Sequence, residues 1–367
     1  WVKWDQDGNH AGNPLGSGPI TLSDDASVRL YGVRPTGDAN VMDWGNDVAF
    51  DGAAVLETSE TGWSSLPEVT INMGGLTVND ANVNISNSYG SRMHFNSAST
   101  LTGDANFDGG AWAYFDAPVG GTGHFQAVKG RYFLNATNTY SGGTTMDGSA
   151  IVYANGTNSL GSGDLTLLDG QLYIHADQAV GDVRTTDAVD VFLPGTPINV
   201  SVGSFTGVGG GYAPGLAVEA NMTFTAEMIR AEELVVETDG AFLLAGGAAS
   251  VSDVNSLLVQ SGGQLDMQSG ELRVHYSGSS VFSQVMQWID DGAIFSSSAD
   301  GLTSGLGYRD DTGANAVIVK ATVMGDLNLD GEVTAADYTI WADNFGASDA
   351  GWYNGDLSGD GNVTAAD

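Results

Sequence analysis

The sequence predicts an all-β fold built as a β-solenoid, followed by a small helical module. Residues 1–320 are rich in Gly, Ser, Thr, Asn, Asp and Val, and short runs such as LVVETDGAFLL and LLVQSGGQLDM stand between turn residues. Apolar residues at every second position of these runs indicate strands of three to six residues. Strands this short, with no helix between them, are typical of a solenoid, a sandwich or a propeller.

Internal similarity favours the solenoid among these folds. LVVETDGAFLLAGG aligns with LLVQSGGQLDMQSG, so that Gly240 matches Gly263 at a spacing typical of one rung. The segment LGSGPITL, from Leu15, recurs as LGSGDLTL, from Leu160. One rung cannot bury its own apolar face, whereas stacked rungs bury a continuous core of Val, Leu and Ile.

A longer motif indicates the kind of solenoid. Residues 138–167 read NTYSGGTTMDGSAIVYANGTNSLGSGDLTL. The order YSGGTT, strand, LGSG, strand resembles the autotransporter-associated β-strand repeat. The resemblance implies a right-handed parallel β-helix in a bacterial surface or secreted protein. Such a β-helix with a calcium module at its end, as described below, is similar to large exported proteins of planctomycete-type bacteria. Near the N-terminus only LGSGPITL is present, and WVKWDQDGNHAGNP stands where the YSGGTT half belongs.

One segment, SSVFSQVMQWID at 279–290, breaks the β pattern. Four apolar residues recur there at helical spacing: Phe282, Val285, Met286 and Ile289. Ser279 or Ser280 can cap the start of this helix, and Gly292 follows its end. Because the last rung of a solenoid has open strand edges, we expect the helix to cap it. The segments AIFSSS and NAVIVKATV are predicted closing strands.

The last 42 residues contain two copies of one 12-residue loop, within GDLNLDGEVTAAD and GDLSGDGNVTAAD. Oxygen ligands fall at loop positions 1, 3, 5, 7, 9 and 12, and glycine stands at position 6. Ca²⁺ takes six to eight hard oxygens, and the glycine permits the sharp turn that aims them inward. The sequence therefore predicts Ca²⁺ as cofactor, with these metal ligands: Asp326, Asn328, Asp330, Glu332 (backbone carbonyl), Thr334 and Asp337 in the first loop, and Asp356, Ser358, Asp360, Asn362, Thr364 and Asp367 in the second.

The duplicated loop resembles the dockerin-type calcium module, which carries aspartate at position 12. Three aromatic residues follow the first loop at spacings of three and four: Tyr338, Trp341 and Phe345. This spacing predicts a helix with one apolar face, closed by Gly346. The second repeat has no such helix, so the module is predicted to be incomplete. The resemblance implies a cohesin-like partner, although alanines occupy positions 10 and 11, which help dockerins to choose their partner.

These observations predict three regions: a β-solenoid over 1–278, the capping helix and closing strands over 279–323, and the calcium module over 324–367. The chain begins at Trp1 without an initiator methionine or signal peptide and stops at Asp367, the last ligand of the second loop. We therefore interpret both ends as boundaries that the gene does not set.

Charge and composition bound the location and the partners. With 45 acidic and 11 basic residues the net charge is −34, which makes nucleic acid and anionic membranes poor partners. The sequence contains no run of 18 apolar residues, so it predicts no transmembrane helix. The chain has no cysteine, and calcium replaces disulfides in many secreted bacterial proteins. Calcium loops saturate outside cells, so we expect an extracellular or cell-surface protein.

The sequence offers little for catalysis. No G-x-S-x-G, Walker A, H-E-x-x-H or G-x-G-x-x-G motif is present, and no two of the five histidines have metal-ligand spacing. The acidic pairs Glu232–Glu233 and Asp290–Asp291 are interpreted as solvated. Asp104 to Gly109 (DANFDG) copies half of a calcium loop, and we interpret it as a turn in a rung rather than as a calcium site.

Aromatic residues crowd the N-terminal half. The set comprises Trp44, Trp63, Trp112, Tyr114, Tyr132 and Phe133. Exposed rings could stack on sugars, whereas buried rings would fill wide rungs or cap the solenoid. We expect burial, because large apolar side chains are mostly inside.

Two functional hypotheses follow. The first is a secreted, non-enzymatic structural or adhesive solenoid of the bacterial surface or matrix, stabilised by calcium; its sharper variant assembles copies head-to-tail into filaments. The second is a carbohydrate-active protein, either a polysaccharide lyase or hydrolase or a glycan-binding module for extracellular polysaccharide, delivered by the dockerin-like tail. A row of exposed aromatics or facing carboxylates on one β-face would favour the second hypothesis.

Overall fold

A computed structural model describes residues 2–3, 18–23, 26–31, 41–43, 45–52, 54–59, 70–87, 92–186, 188–192 and 197–367. The chain forms two compact units, Trp1–Pro194 and Gly195–Asp367. Together the units contain about 9 turns of β-solenoid, with parallel strand pairing, so the predicted fold class is confirmed at that level. The division between the units falls inside the region predicted as solenoid.

The first unit contains only β-strands among its described residues. They are β1 (Val2–Lys3), β2 (Ile20–Ser23), β3 (Ser27–Tyr31), β4 (Val41–Asp43), β5 (Val48–Asp51), β6 (Ala54–Ser59), β7 (Thr70–Met73), β8 (Leu76–Asn79), β9 (Ala81–Asn87), β10 (Arg92–Phe95), β11 (Ser99–Leu101), β12 (Ala105–Phe115), β13 (Val119–Gly121), β14 (Phe125–Leu134), β15 (Thr144–Ala154), β16 (Leu165–Leu167), β17 (Gly170–Ile174), β18 (Gln178–Ala179), β19 (Val183–Thr185) and β20 (Val189–Phe192).

These strands stack in parallel on three faces. The first face runs β4–β7–β10–β12–β14–β15–β17–β20. The second runs β3–β6–β9–β12–β14–β15–β16–β19. The third is β2–β5–β8–β11–β13. The long strands β12, β14 and β15 therefore belong to two faces. The pairing of β12 with β14 and that of β14 with β15 each contain a break in register, which marks the corner between the two faces.

Alternation along each strand builds the interior of the first unit. In β15, alternate residues at both ends of the strand are buried. Five aromatic rings fill adjacent rungs of this interior: Phe95, Phe107, Phe115, Phe125 and Tyr132. The Tyr132 hydroxyl donates to the carbonyl of Phe107 at 3.1 Å, and burial raises the pKa of this phenol above its ordinary range. Burial is thus confirmed for Tyr132.

The YSGGTT and LGSG motifs meet across neighbouring rungs. Tyr140 is fully buried, and its hydroxyl lies 2.6 Å from the Thr144 hydroxyl. The Thr144 hydroxyl in turn donates to the Leu160 carbonyl at 2.9 Å. Gly161, with a φ of +77°, leaves room for the Tyr140 ring, which a Cβ would overlap. The two halves of the motif therefore fasten one corner of the solenoid.

The half-loop at 104–109 is a strand, not the turn that we predicted. Asp104 precedes β12, and its backbone N–H donates to Asp80 Oδ1 at 2.9 Å. Asn106 and Asp108 lie within β12. Gly109 is buried beside the backbone of Ile85. These side chains are spaced along an extended strand and do not form a loop around a common centre.

The second unit continues with shorter strands, two helices and two short 3₁₀ turns. The strands are β21 (Ile198–Gly207), β22 (Leu216–Val218), β23 (Met222–Ala231), β24 (Leu234–Val236), β25 (Ala241–Leu244), β26 (Val251–Val254), β27 (Leu257–Val259), β28 (Gln264–Asp266), β29 (Glu271–His275), β30 (Ile294–Phe295), β31 (Ser304–Asp311) and β32 (Ala316–Val323); the helices are α1 (Phe282–Asp290) and α2 (Ala335–Asn344), and the 3₁₀ turns are Val208–Gly210 and Trp352–Asn354.

Three parallel stacks run through this unit: β21–β23–β25–β28–β30, β23–β26–β29 and β22–β24–β27. Ala241 pairs with Gln264, so the glycines before them, Gly240 and Gly263, occupy matching positions of neighbouring rungs as the internal similarity predicts. The pairing becomes antiparallel at the end, where β32 covers the edge of β29 and β31 pairs with β32. The predicted strand NAVIVKATV corresponds to β32, whereas AIFSSS supplies only the two residues of β30.

The predicted helix is present as α1. The predicted serine cap is wrong, because Val281 occupies the N-cap position and no side chain caps the helix. Ser280 stands one residue earlier, where its Oγ accepts the backbone N–H of Phe282 at 3.1 Å. Gly292 follows the helix with a φ of +71°. Of the four predicted apolar residues only Val285 is fully buried. The helix leads into β30, which pairs with β28. That α1 caps the solenoid stays a prediction. No helix in the described part of the chain has both the length and the apolar character needed to span a bilayer.

Candidate metal centre

Both predicted calcium loops lie in the second unit, one on each side of α2. Helix α2 begins inside the first loop, where Thr334 and Asp337 form a reciprocal capping box. The helix ends before Gly346, whose φ of +87° and hydrogen bond to the Val363 carbonyl at 2.8 Å turn the chain toward the second loop. The two loops are therefore connected through one short helix and its C-terminal turn.

Two aspartates organise the first loop from its ends. Asp326, at position 1, accepts the backbone N–H groups of Asp330 at 3.0 Å and Gly331 at 2.8 Å. Asp337, at position 12, accepts those of Leu327 and Asn328 through one oxygen and that of Thr334 through the other. The carboxylates at positions 1 and 12, which are predicted ligands, thus hold the backbone of the loop between them.

The second loop repeats these hydrogen bonds position by position. Asp356 accepts the N–H groups of Asp360 at 3.2 Å and Gly361 at 2.7 Å. Asp367 accepts those of Leu357 and Ser358 through one oxygen, and that of Thr364 through the other. The aspartates at position 5 also make the same contact in both loops, since Asp330 and Asp360 each accept the backbone N–H of position 7 at 2.9 Å.

The loops share their backbone conformation as well. Gly331 and Gly361, at position 6, have φ values of +95° and +82°, as the predicted sharp turn requires. The residue at position 4 has a left-handed backbone in both loops. It is Gly359 in the second loop but Leu329 in the first, where φ is +62°. A leucine rarely adopts this conformation, so the loop's hydrogen bonds hold the backbone there.

Negative charge is concentrated and buried in the module. Asp326 is 0% exposed, Asp337 2% and Asp356 4%, and within the described residues no Lys, Arg or His forms an ion pair with any of them. Burial alone raises the pKa of Asp337 and of Asp367, but hydrogen bonds, chiefly from backbone N–H groups, outweigh it; the pKa of Asp337 is lowered and that of Asp367 falls to about 2. Both carboxyls therefore remain anionic at neutral pH.

The donor set fits a hard divalent cation. Buried carboxylates are costly unless a positive charge or hydrogen bonds compensate them, and each loop combines carboxylate, amide or hydroxyl and carbonyl oxygens at the positions that Ca²⁺ uses. In the described ranges no three His, Cys, Asp or Glu side chains are grouped to hold a metal by themselves. A cation here would depend on the Asn, Ser, Thr and backbone oxygens as well. Bound Ca²⁺ would supply charge neutralisation and cross-linking within each loop.

Sequence reasoning missed the residues that hold the first loop against the solenoid. The indole N–H of Trp352 donates to the Asp326 carbonyl at 2.8 Å, and its ring lies over Gly305 and Gly307 of β31. Thr322 of β32 donates to the Asp326 carboxylate. Lys320 Nζ donates to the Leu329 carbonyl at 3.1 Å. Trp352 lies 26 residues from Asp326 in the sequence, so the loop motif does not identify it. Lys320 and Thr322 are close in sequence to the loop, but they stand before the motif and carry no ligand pattern of their own.

The predicted apolar face of α2 is present but exposed. Tyr338 and Phe345 are 66% and 55% exposed, and both rings contact Trp341. Trp341 is turned partly inward, where its indole N–H donates to the Thr364 carbonyl at 3.2 Å. The helix therefore links the two loops through one aromatic residue and leaves the other two in solvent.

A second candidate site lies on the first face of the first unit. Six outward rings stack one per rung, and we call them the aromatic ladder: His94, Tyr114, Phe133, Tyr153, Tyr173 and Phe192. Adjacent ring centroids are 4.1 to 4.7 Å apart, with interplanar angles of 2° to 15°. Five rings are half-buried and Phe192 is 39% exposed.

The predicted burial is therefore wrong for Tyr114, Phe133 and the neighbouring Trp112, which is also half-buried. Strand alternation turns them outward, opposite to the buried Tyr132. Trp44 and Trp63 lie outside the described residues. The near-20-residue recurrence of aromatic residues from Tyr114 to Phe192 was the available sequence signal for this row.

The remaining candidates do not form a catalytic group. Glu232, Glu233, Asp290 and Asp291 are all exposed, and Glu232 accepts a hydrogen bond from the Asn255 amide at 2.7 Å. The described histidines pair with other polar groups, as in His275 with Asp253 at 2.9 Å. His10 lies outside the described residues.

Comparison with known proteins found no match: no family model, no curated protein and no solved structure is significantly similar to the chain.

Proposed function

We propose that this chain is a secreted, non-enzymatic β-solenoid protein whose C-terminal module is folded and stiffened by calcium. In this proposal it serves as a structural or adhesive component of a bacterial surface or extracellular matrix. The observation that carries the proposal is the duplicated loop network. The two loops differ at positions 3 and 7, yet in both the Asp carboxylates at positions 1 and 12 accept the same backbone N–H groups. This repeated arrangement of buried carboxylates supports two equivalent cation sites.

The rest of the molecule is consistent with a load-bearing or surface role. A parallel solenoid gains its core by stacking rungs and needs no disulfides for it. The net charge of −34 attracts divalent cations and keeps chains apart. Filament formation by head-to-tail contact remains part of the proposal, although β32 already covers the edge of β29 at one face. A contact between copies would have to use the other open edges. A cohesin-like protein remains a proposed partner of the module.

Calcium titration tests the proposal directly. Isothermal calorimetry on the intact chain should detect two sites. Asp326→Asn should weaken one site and Asp356→Asn the other, each by at least about tenfold, because each removes a charged ligand at position 1. Asp343→Asn is the matched control, since Asp343 is exposed on α2 outside both loops.

Two results would contradict the proposal. The first is a chain that binds no calcium at millimolar concentration. The second is an Asp343→Asn variant that loses as much affinity as the two loop variants, because the effect would then follow net charge and not the loops.

Glycan binding is a second candidate function, and the aromatic ladder favours it. A row of partly exposed rings on one β-face is the feature that separates a glycan-binding solenoid from a smooth structural one. The exposed acidic pairs give no comparable support to polysaccharide cleavage, which needs two carboxyl groups facing one bond.

A further inference from the structure

We propose that the face carrying the aromatic ladder binds a single chain of a neutral linear polysaccharide, laid lengthwise across the rungs. The inference deepens the second candidate function and rests on it; it is independent of the calcium loops, which belong to the other unit.

Three parallel rows of side chains form this face. Residues two apart on a strand point to the same side, so one row of side chains stands two positions before the ladder rings and another stands two positions after them. The row before the ladder consists of Arg92, Trp112, Arg131, Ile151, Gln171 and Asp190. In the row after it, the four rings from Tyr114 to Tyr173 are followed by Asp116, Asn135, Asn155 and His175. A ligand that follows the ladder therefore meets an aromatic ring at each of the six rungs, with polar side chains beside most of the rings.

The row after the ladder is one hydrogen-bonded chain. His175 Nδ1 lies 2.7 Å from Asn155 Oδ1, and the Asn155 amide donates to Asn135 Oδ1 at 2.7 Å. The Asn135 amide donates to Asp116 Oδ1 at 2.5 Å, and the other Asp116 oxygen meets His94 Nδ1 at 2.5 Å. Each asparagine side chain in this hydrogen-bonded row donates one N–H within the row, and its second N–H takes no part in the row. Such fixed donors and acceptors suit hydroxyl groups.

The row before the ladder is stiffened by Trp112. The guanidinium of Arg131 lies 4.6 Å from the Trp112 ring centroid, and that of Arg92 lies 5.3 Å away. Over the three rows, two arginines balance two aspartates, Asp116 and Asp190, so the face is formally neutral in a chain of net charge −34. A neutral ligand loses nothing to the field of the whole protein, whereas a polyanion is repelled by it.

The dimensions of the face select a long, thin ligand. Six rungs at a spacing of about 4.8 Å give a length of roughly 24 Å, and three rows two residues apart span four rises of about 3.4 Å, or roughly 14 Å. The strip therefore covers roughly 330 Å². A stable protein interface needs about 800 Å² from each partner, so this strip is too narrow for a second copy. A peptide strand would need unpaired backbone groups, and the outward side of a paired sheet offers none.

The ladder also fixes how the sugar chain would lie. Interior rings cover one another's faces, as the 4.1 Å separation of Tyr114 and Phe133 shows. Sugars therefore cannot stack flat on them and would instead pack against ring edges. The phenol groups of Tyr114, Tyr153 and Tyr173 stand in this row and would bind hydroxyls.

The test uses the full chain with soluble mixed-linkage β-glucan, glucomannan and pullulan as neutral linear probes and alginate as the anionic probe. Affinity electrophoresis and calorimetry should show binding of at least one neutral polysaccharide and none of alginate. A triple variant, Tyr114→Phe with Tyr153→Phe and Tyr173→Phe, keeps the stacked rings and removes three hydroxyls. Its association constant should fall by about tenfold or more. Tyr338→Phe, on α2, is the matched control and should bind as the wild type does.

Circular dichroism and the melting temperature must match between the variants, since the ring stack is retained. The proposal is overturned if no neutral polysaccharide binds, or if the triple variant binds with unchanged affinity. It is also overturned if sedimentation shows a dimer that the triple variant disperses, because the face is then an interface between copies. Running each assay in millimolar calcium and in EDTA separates the proposals: binding that survives EDTA supports this one whatever the loops do.

Discussion

At the scale of single residues, the role of an amino acid here depends on which atoms of the neighbouring rung it faces. Gly109 and Gly110 are adjacent in β12, yet only Gly109 lies against another backbone, where a Cβ would overlap the carbonyl of Ile85. A Cβ on Gly110 would have open space, and neither residue has a positive φ. Gly109 is therefore required by close packing against Ile85, and neither glycine is required by a positive φ.

We expect Gly109→Ala to destabilise the first unit by about 1–3 kcal/mol or more, because the added Cβ overpacks a rigid rung contact. Gly110→Ala is the control and should stay within about 0.5 kcal/mol of the wild type. Urea unfolding followed by circular dichroism measures both changes. Equal effects of the two substitutions would show that the close contact with Ile85 does not set the cost.

At the scale of elements, the bent strands of the first unit join two faces and bury aromatic rings at the shared interior. Phe107 of β12 is fully buried and contacts the rings of Phe115, Phe125 and Tyr132. Its carbonyl also accepts the Tyr132 hydroxyl. Phe107 therefore takes part both in the packing of the buried rings and in a buried hydrogen bond.

We expect Phe107→Ala to cost about 3–5 kcal/mol of stability, from lost burial and the cavity left behind. Phe345→Ala removes an equal side chain from an exposed site on the module and should cost less than about 0.5 kcal/mol. Differential scanning calorimetry compares the two. A melting temperature for Phe107→Ala within error of the control would contradict the packing argument.

At the scale of the whole molecule, two kinds of stabilisation are combined. The solenoid rests on stacked apolar rungs, whereas the module at 326–367 buries three aspartates and has few apolar residues inside. Because ligand sites form only in the folded state, calcium binding should contribute to folding of the module alone.

We expect EDTA to make the chain between 326 and 367 sensitive to protease while the rungs before α1 stay resistant. Added calcium should restore protection, and magnesium should restore less, because Mg²⁺ demands a tighter octahedral shell. Mass spectrometry of limited digests locates the cuts. Cleavage spread evenly along the chain, or unchanged by EDTA, would count against a calcium-folded module.

The sequence by itself determined the local features of this protein. Period-two runs identified strands such as β24 and β25, helical spacing identified α1, and the internal match of Gly240 with Gly263 gave the rung. Loop spacing identified two turns with left-handed glycines at position 6. Each of these features depends on residues that lie within about one rung of each other in the sequence, so a local pattern is enough to predict it.

Only the tertiary structure decided which residues meet across rungs. The Trp112, Tyr114 and Phe133 side chains face outward because of the register of β12 and β14, and one residue of shift would bury them. Docking of Trp352 on Gly305, the antiparallel closure by β32 and the exposure of Tyr338 likewise depend on distant partners. Stacking makes these contacts non-local, so no window of sequence contains both sides of them.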